Sequence, residues 1–580
     1  MPRGDPVRAA RIWLGLALVV HALLAGTYAV RAPAWEGPDE NDHAYYASFL
    51  QATGRQPTIL KSSATTGRAP WEEGSLGHHP PLYYALLVAV AAITGHGDCT
   101  PYWSPPPDRV PGAALQWQHG HDERAPVSAE ISVLRWQRLL STALGAVSIA
   151  LAFALARELF PSRPGTAAWA ALSLACLPQW SWMHGVLDNG NLAAALAAAT
   201  SYVLVRGVRR RRLHVGAGVL LGLLLGTALL TKLTALFLLP LVVLAFTGAA
   251  VAWPGGRGRT LLGFAVAMVL AAAISGAWFW RNAQLYGDPL ALVPHAVAYA
   301  SNRLPADMRT SYLGGDFVWR TLHTTFAAVG WSLRPAPPAA EVAALIALGL
   351  GAVGWLWRLR TLAREGGAAL SLALVSLVLT AAGYVQFNLS FIQPQGRYLF
   401  PAAGVGAVLV AAGLSALPWP RRPLWPTLAG AIVIAGAFAL QHVHFLPALR
   451  TGDAPHRCYA SSHEGLHTVG APDRRTLEAL TPEPGAALEG APTFRWHDPL
   501  GSAATVYSVH IWFPDGLVFA TWETAQLELT GDAWTIPDGY WATLPRGRTL
   551  RWRVRRVADR ARGEAAREQP ESELRELVRR

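Results

Sequence analysis

Eleven apolar runs, each long enough to cross a lipid bilayer as a helix, constrain this sequence more than any other feature. About 20 helical residues span the ~30 Å hydrocarbon core. Runs of that length lie near 12–30, 137–156, 165–183, 191–208, 214–231, 233–252, 260–280, 339–357, 368–388, 398–417 and 424–445. Charged residues make up only 15% of the chain, against about a quarter in soluble proteins. We therefore predict an α-helical polytopic membrane protein.

The arginines predict the orientation of these spans. With the N-terminus inside, every predicted inner segment is basic, including the RGVRRRR cluster at 206–212, as the positive-inside rule requires. The run 82–95 is also apolar, but a helix of that length reaches only about 21 Å. We predict that this run lies at the outer interface without crossing, which leaves the C-terminus outside.

Polar residues collect at the predicted outer ends of the spans. Lys232, Arg281 and Arg397 lie there, against the positive-inside trend. The six asparagines of the chain share this side: Asn41, Asn189, Asn191, Asn282, Asn302 and Asn388. Polar and ionisable groups near a membrane mark functional sites by default. The sequence therefore predicts a site on the outer face.

The strongest candidate for chemistry is the stretch GPDENDHAYYASFLQATGRQP, which begins at residue 37. Pro38 suits the first turn of a helix, and Asp39, Glu40 and His43 then share one face at i, i+3 and i+4 spacing. A helix N-terminus favours an ionised carboxylate. Such a group suits a general base or a ligand of a divalent metal ion. Ordinary capping by acidic residues explains the same pattern.

Two shorter motifs come next along the chain. In HHPPLYY at 78–84, His79 suits a phosphate or metal ligand, or the motif is a loop ended by prolines with tyrosines at the lipid headgroups. In PQWSWMHGVLDNGN at 178–191, Asp188 and Asn189 suit a polar site or helix capping equally well. Lys232 interrupts an apolar stretch and either belongs to a site or snorkels to the interface.

The last two motifs are rich in aromatic and cationic side chains. WFWRNAQLYGDPL at 278–290 places Arg281 and Asn282 at a span end. FNLSFIQPQGRYLFP at 387–401 gathers Gln395, Arg397 and Tyr398 between two spans. A guanidinium binds phosphate oxygens in bidentate fashion, so Arg397 suits an anion clamp, or it anchors a span at the headgroups.

Outside the predicted membrane part, 1–445 with a long outer loop at 31–136, the character of the chain changes. Residues 446–479 are predicted to form a linker. Alternating apolar and polar residues between Gly, Pro and Asp turns predict a small β-sandwich-like domain at 480–557. The remaining segment, 558–580, is an Arg/Glu-rich tail that we expect to be an exposed helix or disordered.

Taken together, the motifs resemble the GT-C superfamily of membrane glycosyltransferases, which includes protein O-mannosyltransferases and lipid A aminoarabinose transferases. The resemblance covers roughly residues 10–445. It rests on PDENDHAYYASFLQATG, HHPPLYY, PQWSWMHGVLDNGNLA, RNAQLYGDPL and QGRYLFP in this order, and is closer to a group of largely uncharacterised bacterial proteins. Relatives often carry an acid where this chain has Gly190, which puts the role of the hairpin acid in doubt.

The resemblance implies a polyprenyl-phosphate-linked sugar donor and inverting transfer to a glycan, lipid or protein acceptor on the outer face of a bacterial inner membrane. It places Asp39 in the position of the general base, with Glu40 or His43 orienting it or holding a divalent metal ion. Some members of the superfamily need such an ion and others do not. Arg397 takes the donor-phosphate position, with Lys232 or Arg281 assisting.

Two other functions remain open at this point: a transporter or flippase of lipid-linked sugars, and a non-catalytic envelope protein whose β domain binds glycan. The formal charge of +12 does not indicate a nucleic-acid partner, because the arginines are scattered between apolar runs. Cys99 and Cys458 both fall on the predicted outer side, where thiols oxidise, and we expect them to pair or to lie close together.

Overall fold

The computed structural model describes the larger part of the chain: residues 6–59, 76–95, 129–298, 304, 309–314, 316–330, 334–418, 424–449, 477–499, 501, 505–513, 516–520, 529–536, 541, 547, 549–559, 564–565, 572 and 575–580. Cys99, Cys458 and most of the predicted linker lie outside these residues.

Residues up to 449 form a bundle of helices, as the apolar runs predict. The α-helices are α1 (Pro6–Arg31), α2 (Glu40–Thr53), α3 (Leu82–Ile93), α4 (Ala129–Leu159), α5 (Pro164–Ala175), α6 (Pro178–Met183), α7 (Asn189–Arg209), α8 (Val215–Leu229), α9 (Leu238–Ala252), α10 (Arg257–Tyr286), α11 (Leu292–Ala298), α12 (Arg309–Gly314), α13 (Asp316–Phe326), α14 (Pro338–Asn388), α15 (Ala403–Ala416), α16 (Leu424–Ala439) and α17 (Leu446–Ala448). Short 3₁₀ segments, Leu233–Phe237 and Gly396–Ala402, precede α9 and α15. Within the described residues, eight helical segments are long and apolar enough to cross a membrane.

Helix α14 covers the two spans predicted at 339–357 and 368–388. It runs for 51 residues and is interrupted only by non-helical backbone at Arg358 and Gly367. Both ends of α14 contact the same short helix α13, since Glu341 pairs with His323 and the Tyr384 hydroxyl lies 2.7 Å from Thr321 Oγ1. The helix therefore turns back on itself between the two apolar halves.

Small residues allow α8 and α10 to pack at very short range. Gly218, Gly222 and Gly226 are spaced by four along α8, and a Cβ atom added to Gly218 would lie 2.1 Å from the carbonyl oxygen of Gly263. Close approach through such stripes is typical of helices in membranes.

The short helix α3 lies at the end of the bundle where α1 ends and α4 begins. The Arg138 side chain, near the start of α4, donates to the carbonyl of Ala32, just after α1. The Leu82 N–H at the start of α3 donates to the Leu230 carbonyl, just after α8. The end of α1 and the start of α4 therefore share one end of the bundle. This arrangement is expected if α3, which lies between them in the chain, does not cross the membrane.

The orientation of the bundle in the membrane is a testable prediction. A reporter that is active only in the periplasm should be active when fused after residue 450, because the basic inner segments place that point outside. The same reporter fused after residue 212 should be inactive. Activity at residue 212 would contradict the treatment of 82–95 as non-crossing.

The C-terminal part is a β-rich unit built around a tryptophan-rich core. A short hairpin, β1 (Ala328–Val329) and β2 (Arg334–Pro335), precedes α14, and the C-terminal strands are β3 (Glu478–Thr481), β4 (Ala486–Leu488), β5 (Thr493–His497), β6 (Thr505–Phe513), β7 (Gly516–Ala520), β8 (Ala533–Thr535), β9 (Thr549–Asp559), β10 (Glu564–Ala565) and β11 (Arg575–Arg579). One sheet has the order β4-β11-β9-β6-β7, with β10 paired to β9, and the other has the order β3-β5-β8. Trp496 and Trp552 are buried in the core that both sheets share.

The predicted charged tail is wrong in its described part. Strand β11 pairs antiparallel with β9 and parallel with β4, and Leu577 is fully buried. Leu577 and Val578 supply the apolar residues that a strand needs at this position, and the surrounding arginines and glutamates masked this signal in the sequence.

Candidate active site

Four charged side chains meet at the end of the bundle where α1 ends and α7 begins. Arg397 pairs with Asp39 through Nη2 and with Asp188 through Nη1, the latter at 2.8 Å. Lys232 Nζ lies 3.4 Å from the other carboxylate oxygen of Asp188. The residues come from four separate stretches of the chain and alternate in sign, so each charge has an opposite neighbour.

Asp39 is the exposed member of this cluster. Its side chain keeps 34% of its surface accessible, against 3% for Asp188 and 7% for Arg397. The prediction that Asp39 lies inside a helix opened by Pro38 is wrong, because α2 begins at Glu40 and Asp39 precedes it in a left-handed conformation with φ of 60°. Its carboxylate makes no capping bond. The side chain instead reaches the guanidinium of Arg397.

The predicted common face required Glu40 to lie beside Asp39, but the two carboxylates bind different partners. Its carboxylate is fully buried and binds Arg138, which donates from Nε at 2.7 Å and from Nη2 at 2.6 Å. The left-handed backbone at Asp39 separates the directions of the two neighbouring side chains. The prediction of an Asp39, Glu40 and His43 cluster is corrected accordingly.

Asp188 is the site residue that the sequence left undecided, and no prediction assigned it a role. It is the N-cap of α7, where its side chain accepts from the Gly190 N–H, and it also bridges Arg397 and Lys232. Burial by itself raises the pKa of Asp188, but the charges of Lys232 and Arg397 outweigh burial and hold this pKa well below its usual range. The capping interpretation was correct but incomplete.

Lys232 and Tyr398 complete the wall around Arg397. The Tyr398 ring centroid lies 5.6 Å from Lys232 Nζ and 5.4 Å from Arg397 Cζ, distances at which a ring face attracts a cation. Burial lowers the pKa of Lys232, while Asp188 opposes this shift. Arg397 Nε is buried without a hydrogen-bond partner among the described residues. The cluster thus retains donor capacity next to the exposed Asp39 carboxylate.

His43 and His79 form a buried aromatic stack at the edge of the cluster. Their rings are 6.0 Å apart and nearly parallel, and His43 Nδ1 lies 3.0 Å from the hydroxyl of Tyr84. Burial lowers the pKa of His43 to about 4 and that of His79 well below its usual value. Burial therefore favours the neutral form of both imidazoles.

The remaining predicted residues bind backbone near the cluster. Asn189 donates to the Thr231 carbonyl at 3.2 Å and so fixes the residue before Lys232. Arg281 donates to the carbonyls of Gln56 and Pro57, both at 3.2 Å. Asn282 donates to the Pro289 carbonyl at 3.3 Å, and Gln395 donates to Gln393 Oε1 at 3.0 Å. These side chains support loops, and no described contact joins Arg281 to Arg397.

The comparison with known families now adds to this geometry. Residues 131–280 match the family model described as dolichyl-phosphate-mannose-protein mannosyltransferase. The match covers 150 of the 580 residues, so this segment of the chain is similar to that family. The matched segment runs from α4 into α10 and contains Asp188 and Lys232, while Asp39 and Arg397 lie on either side of it. No curated protein matches the sequence.

Three solved structures align with the chain at low identity. ArnT from Cupriavidus metallidurans bound to undecaprenyl phosphate aligns with 18% identity and a TM-score of 0.44 over 74% of this chain and 64% of that chain. Its apo form aligns with 19% identity and a TM-score of 0.44 over 75% of this chain and 65% of that chain. The Pmt1–Pmt2 complex of S. cerevisiae bound to the sugar donor aligns with 17% identity and a TM-score of 0.33 over 48% of this chain and 34% of that chain. The chain thus spans less than two thirds of the length of ArnT.

The predicted metal ligands Asp39 and Glu40 are engaged by arginines. Glu40 binds Arg138, and Asp39 is paired with Arg397. Among the residues that the structure describes, no group of three or more His, Cys, Asp or Glu side chains is arranged to hold a metal ion. These contacts do not fit a metal ion at Asp39 and Glu40.

Proposed function

We propose that the protein transfers a sugar from a polyprenyl-phosphate-linked donor to an acceptor hydroxyl, with inversion at the anomeric carbon. One observation carries this proposal: a partly exposed carboxylate, Asp39, pairs with Arg397, which Asp188 joins to a second cation, Lys232. A base and an anion-binding group are thus adjacent at one end of a helical bundle. The matched family, whose description names a dolichyl-phosphate sugar donor, supports a lipid phosphate as the leaving group.

The donor phosphate binds at Arg397. A guanidinium offers planar N–H groups that match phosphate oxygens, and Arg397 Nε has no hydrogen-bond partner in the part of the chain that the structure describes. Lys232 adds a second positive charge on the far side of Asp188. Asp188 keeps the two cations in place and holds them apart. The isoprenoid tail would extend between the apolar helices.

The transfer step is a single displacement. The acceptor hydroxyl gives its proton to the Asp39 carboxylate while its oxygen forms a bond to the anomeric carbon. The bond from that carbon to the phosphate oxygen breaks, and the phosphate leaves with the electron pair, stabilised by Arg397. Attack opposite to the leaving group inverts the anomeric centre. Asp39 suits the base because the other carboxylate of the cluster, Asp188, is almost inaccessible.

The acceptor is an envelope glycan, lipid or protein, and the reaction takes place on the periplasmic face of a bacterial inner membrane. The basic inner segments support this side, because they place the charged cluster outside. The β-rich C-terminal unit would then lie on the same side as the site.

Lipid analysis of the purified protein tests the donor class directly. Mass spectrometry should detect a co-purifying polyprenyl phosphate or its glycoside, and added undecaprenyl phosphate should raise the Tm, because a ligand that binds only the folded state stabilises it. A protein that contains neither lipid and whose Tm does not respond to undecaprenyl phosphate would refute this donor. A free sugar nucleotide that raises the Tm instead would point to a different donor class.

A further inference from the structure

A buried ion pair, Glu40–Arg138, lies outside the charged cluster. It joins the two loops that carry the carboxylates of that cluster, Asp39 and Asp188. The side chains of Glu40 and Arg138 are 0% and 1% exposed and are joined by two hydrogen bonds. A buried pair of this kind adds little net stability compared with apolar residues of the same volume. Its presence therefore calls for another explanation.

The pair organises backbone rather than side chains. Glu40 accepts from the N–H groups of Trp35, at 3.1 Å, and Gly37, at 3.4 Å. The same carboxylate accepts from the N–H of Leu187 at 3.0 Å. Arg138 donates to the carbonyls of the residues that end α1, Ala32 at 2.6 Å and Pro33 at 2.9 Å. The Glu40–Arg138 pair thereby holds both the loop that follows α1 and the loop that contains Leu187.

Glu40 and the residue Leu187 that it contacts each adjoin a carboxylate of the cluster. Glu40 directly follows Asp39, and Leu187 directly precedes Asp188. The loop before Asp39 contains two left-handed residues other than glycine, Trp35 with φ of 71° and Asp39 itself with φ of 60°. Such residues are strained and persist only where surrounding contacts hold them. The Glu40 carboxylate supplies those contacts at Trp35 and Gly37.

The two loops also pack directly on each other. A Cβ atom added to Gly37 would lie 2.7 Å from Cβ of Val186, so that only glycine fits at this position. The Pro38 carbonyl, one residue further, accepts from Arg397 at 3.2 Å. Displacement of the first loop would therefore move Asp39 relative to Arg397.

We propose that Glu40 and Arg138 form a positioning pair that fixes the Asp39 carboxylate against Arg397 without touching the substrate. The proposal rests on the proposed role of Asp39 as the base. It assigns to Glu40 the placement of the neighbouring residue, and to Arg138 the placement of Glu40.

A double-mutant cycle with Asp39 tests this role. Glu40→Gln should lower turnover about 10²-fold, since a misplacement of about 1 Å can cost that much, while the Kd for undecaprenyl phosphate stays unchanged because Arg397 and Lys232 lie on other elements. In the Asp39→Asn background, Glu40→Gln should cause no further loss, because the group that it positions is already gone. A loss of the same factor in both backgrounds, or wild-type turnover in the single variant, would overturn the proposal.

A second variant separates positioning from folding. Glu40→Gln removes the negative charge that pairs with the buried Arg138, which is strongly destabilising, whereas Glu40→Leu combined with Arg138→Met removes both charges. The double variant avoids an unpaired buried charge, so it should still unfold in one cooperative transition, and it should lose about 10²-fold in turnover, because Trp35, Gly37 and Leu187 lose the Glu40 carboxylate as an acceptor. A folded double variant with wild-type turnover would refute the positioning role.

The matched control is Glu365→Gln. This carboxylate also pairs with an arginine, Arg163, and accepts from Ser162, but it lies at the turn of α14, away from the cluster. Its loss should leave turnover unchanged. If Glu40→Gln abolished transfer while Asp39→Asn did not, the base assignment would fail instead, and Glu40 would itself become the candidate base.

Discussion

Replacing Asp39 with asparagine is expected to lower turnover by about 10²–10⁴-fold, the range typical of general-base assistance. Asparagine keeps the shape of the side chain but accepts no proton from the acceptor hydroxyl. The Kd for undecaprenyl phosphate should stay close to the wild-type value, because the cations Arg397 and Lys232 remain. Single-turnover transfer in reconstituted membranes, measured beside lipid binding, separates the two effects.

Asp42→Asn is the matched control for this experiment. Asp42 lies three residues further along, in the first turn of α2, where it accepts from the Asn41 side chain at 3.1 Å. Its replacement removes the same charge close to the same site and should leave turnover nearly unchanged. Near wild-type transfer by Asp39→Asn would exclude Asp39 as the base.

Arg397→Ala is expected to weaken the binding of undecaprenyl phosphate by about 10- to 100-fold. Hydrogen bonds to charged groups contribute about 1.5–3 kcal/mol, and each 1.4 kcal/mol corresponds to about tenfold in Kd. Turnover at saturating donor should fall less than in Asp39→Asn, which retains donor binding and loses the base. Equilibrium lipid binding in detergent measures the first effect, and transfer at increasing donor concentration measures the second.

Two further variants define how Arg397 acts. Arg397→Lys keeps the charge but loses the planar set of N–H groups, so its affinity should lie between those of Arg397→Ala and the wild type. Arg163→Ala removes an arginine at the opposite end of the bundle and should not change the affinity. If Arg397→Ala bound the phosphate lipid as tightly as the wild type, the phosphate would have to bind elsewhere.

Hydropathy was sufficient to predict the helical part of the fold. Ten of the eleven apolar runs each coincide with continuous helical structure, because about 20 apolar residues without charge can span a membrane as a helix regardless of tertiary contacts. The run 165–183 is instead divided between α5 and α6. The turn within α14 lies where the sequence predicted a basic segment between two spans, but the arginines at 358–364 did not indicate that most of them stay helical.

The partners within the site could not be predicted from the sequence. Arg397 and Asp39 are separated by 358 residues, and Arg138 and Glu40 by 98 residues. No local pattern specifies contacts at such separations. The proposed convergence of Asp39, Glu40 and His43 failed for a local reason, because helical spacing was assumed from Pro38 and the backbone at Asp39 is left-handed. Asp39, which precedes the helix, therefore directs its side chain away from that of Glu40.

The position of β11 has a consequence for how the larger sheet holds together. Arg575–Arg579 lie between β4 and β9, parallel to β4 and antiparallel to β9. Without this strand, β4 loses its partner in the sheet and β9 exposes an unpaired edge, which is a template for pairing with other chains. A cut between β9 and β11 that released this strand would therefore convert a paired sheet into a surface that recruits other chains.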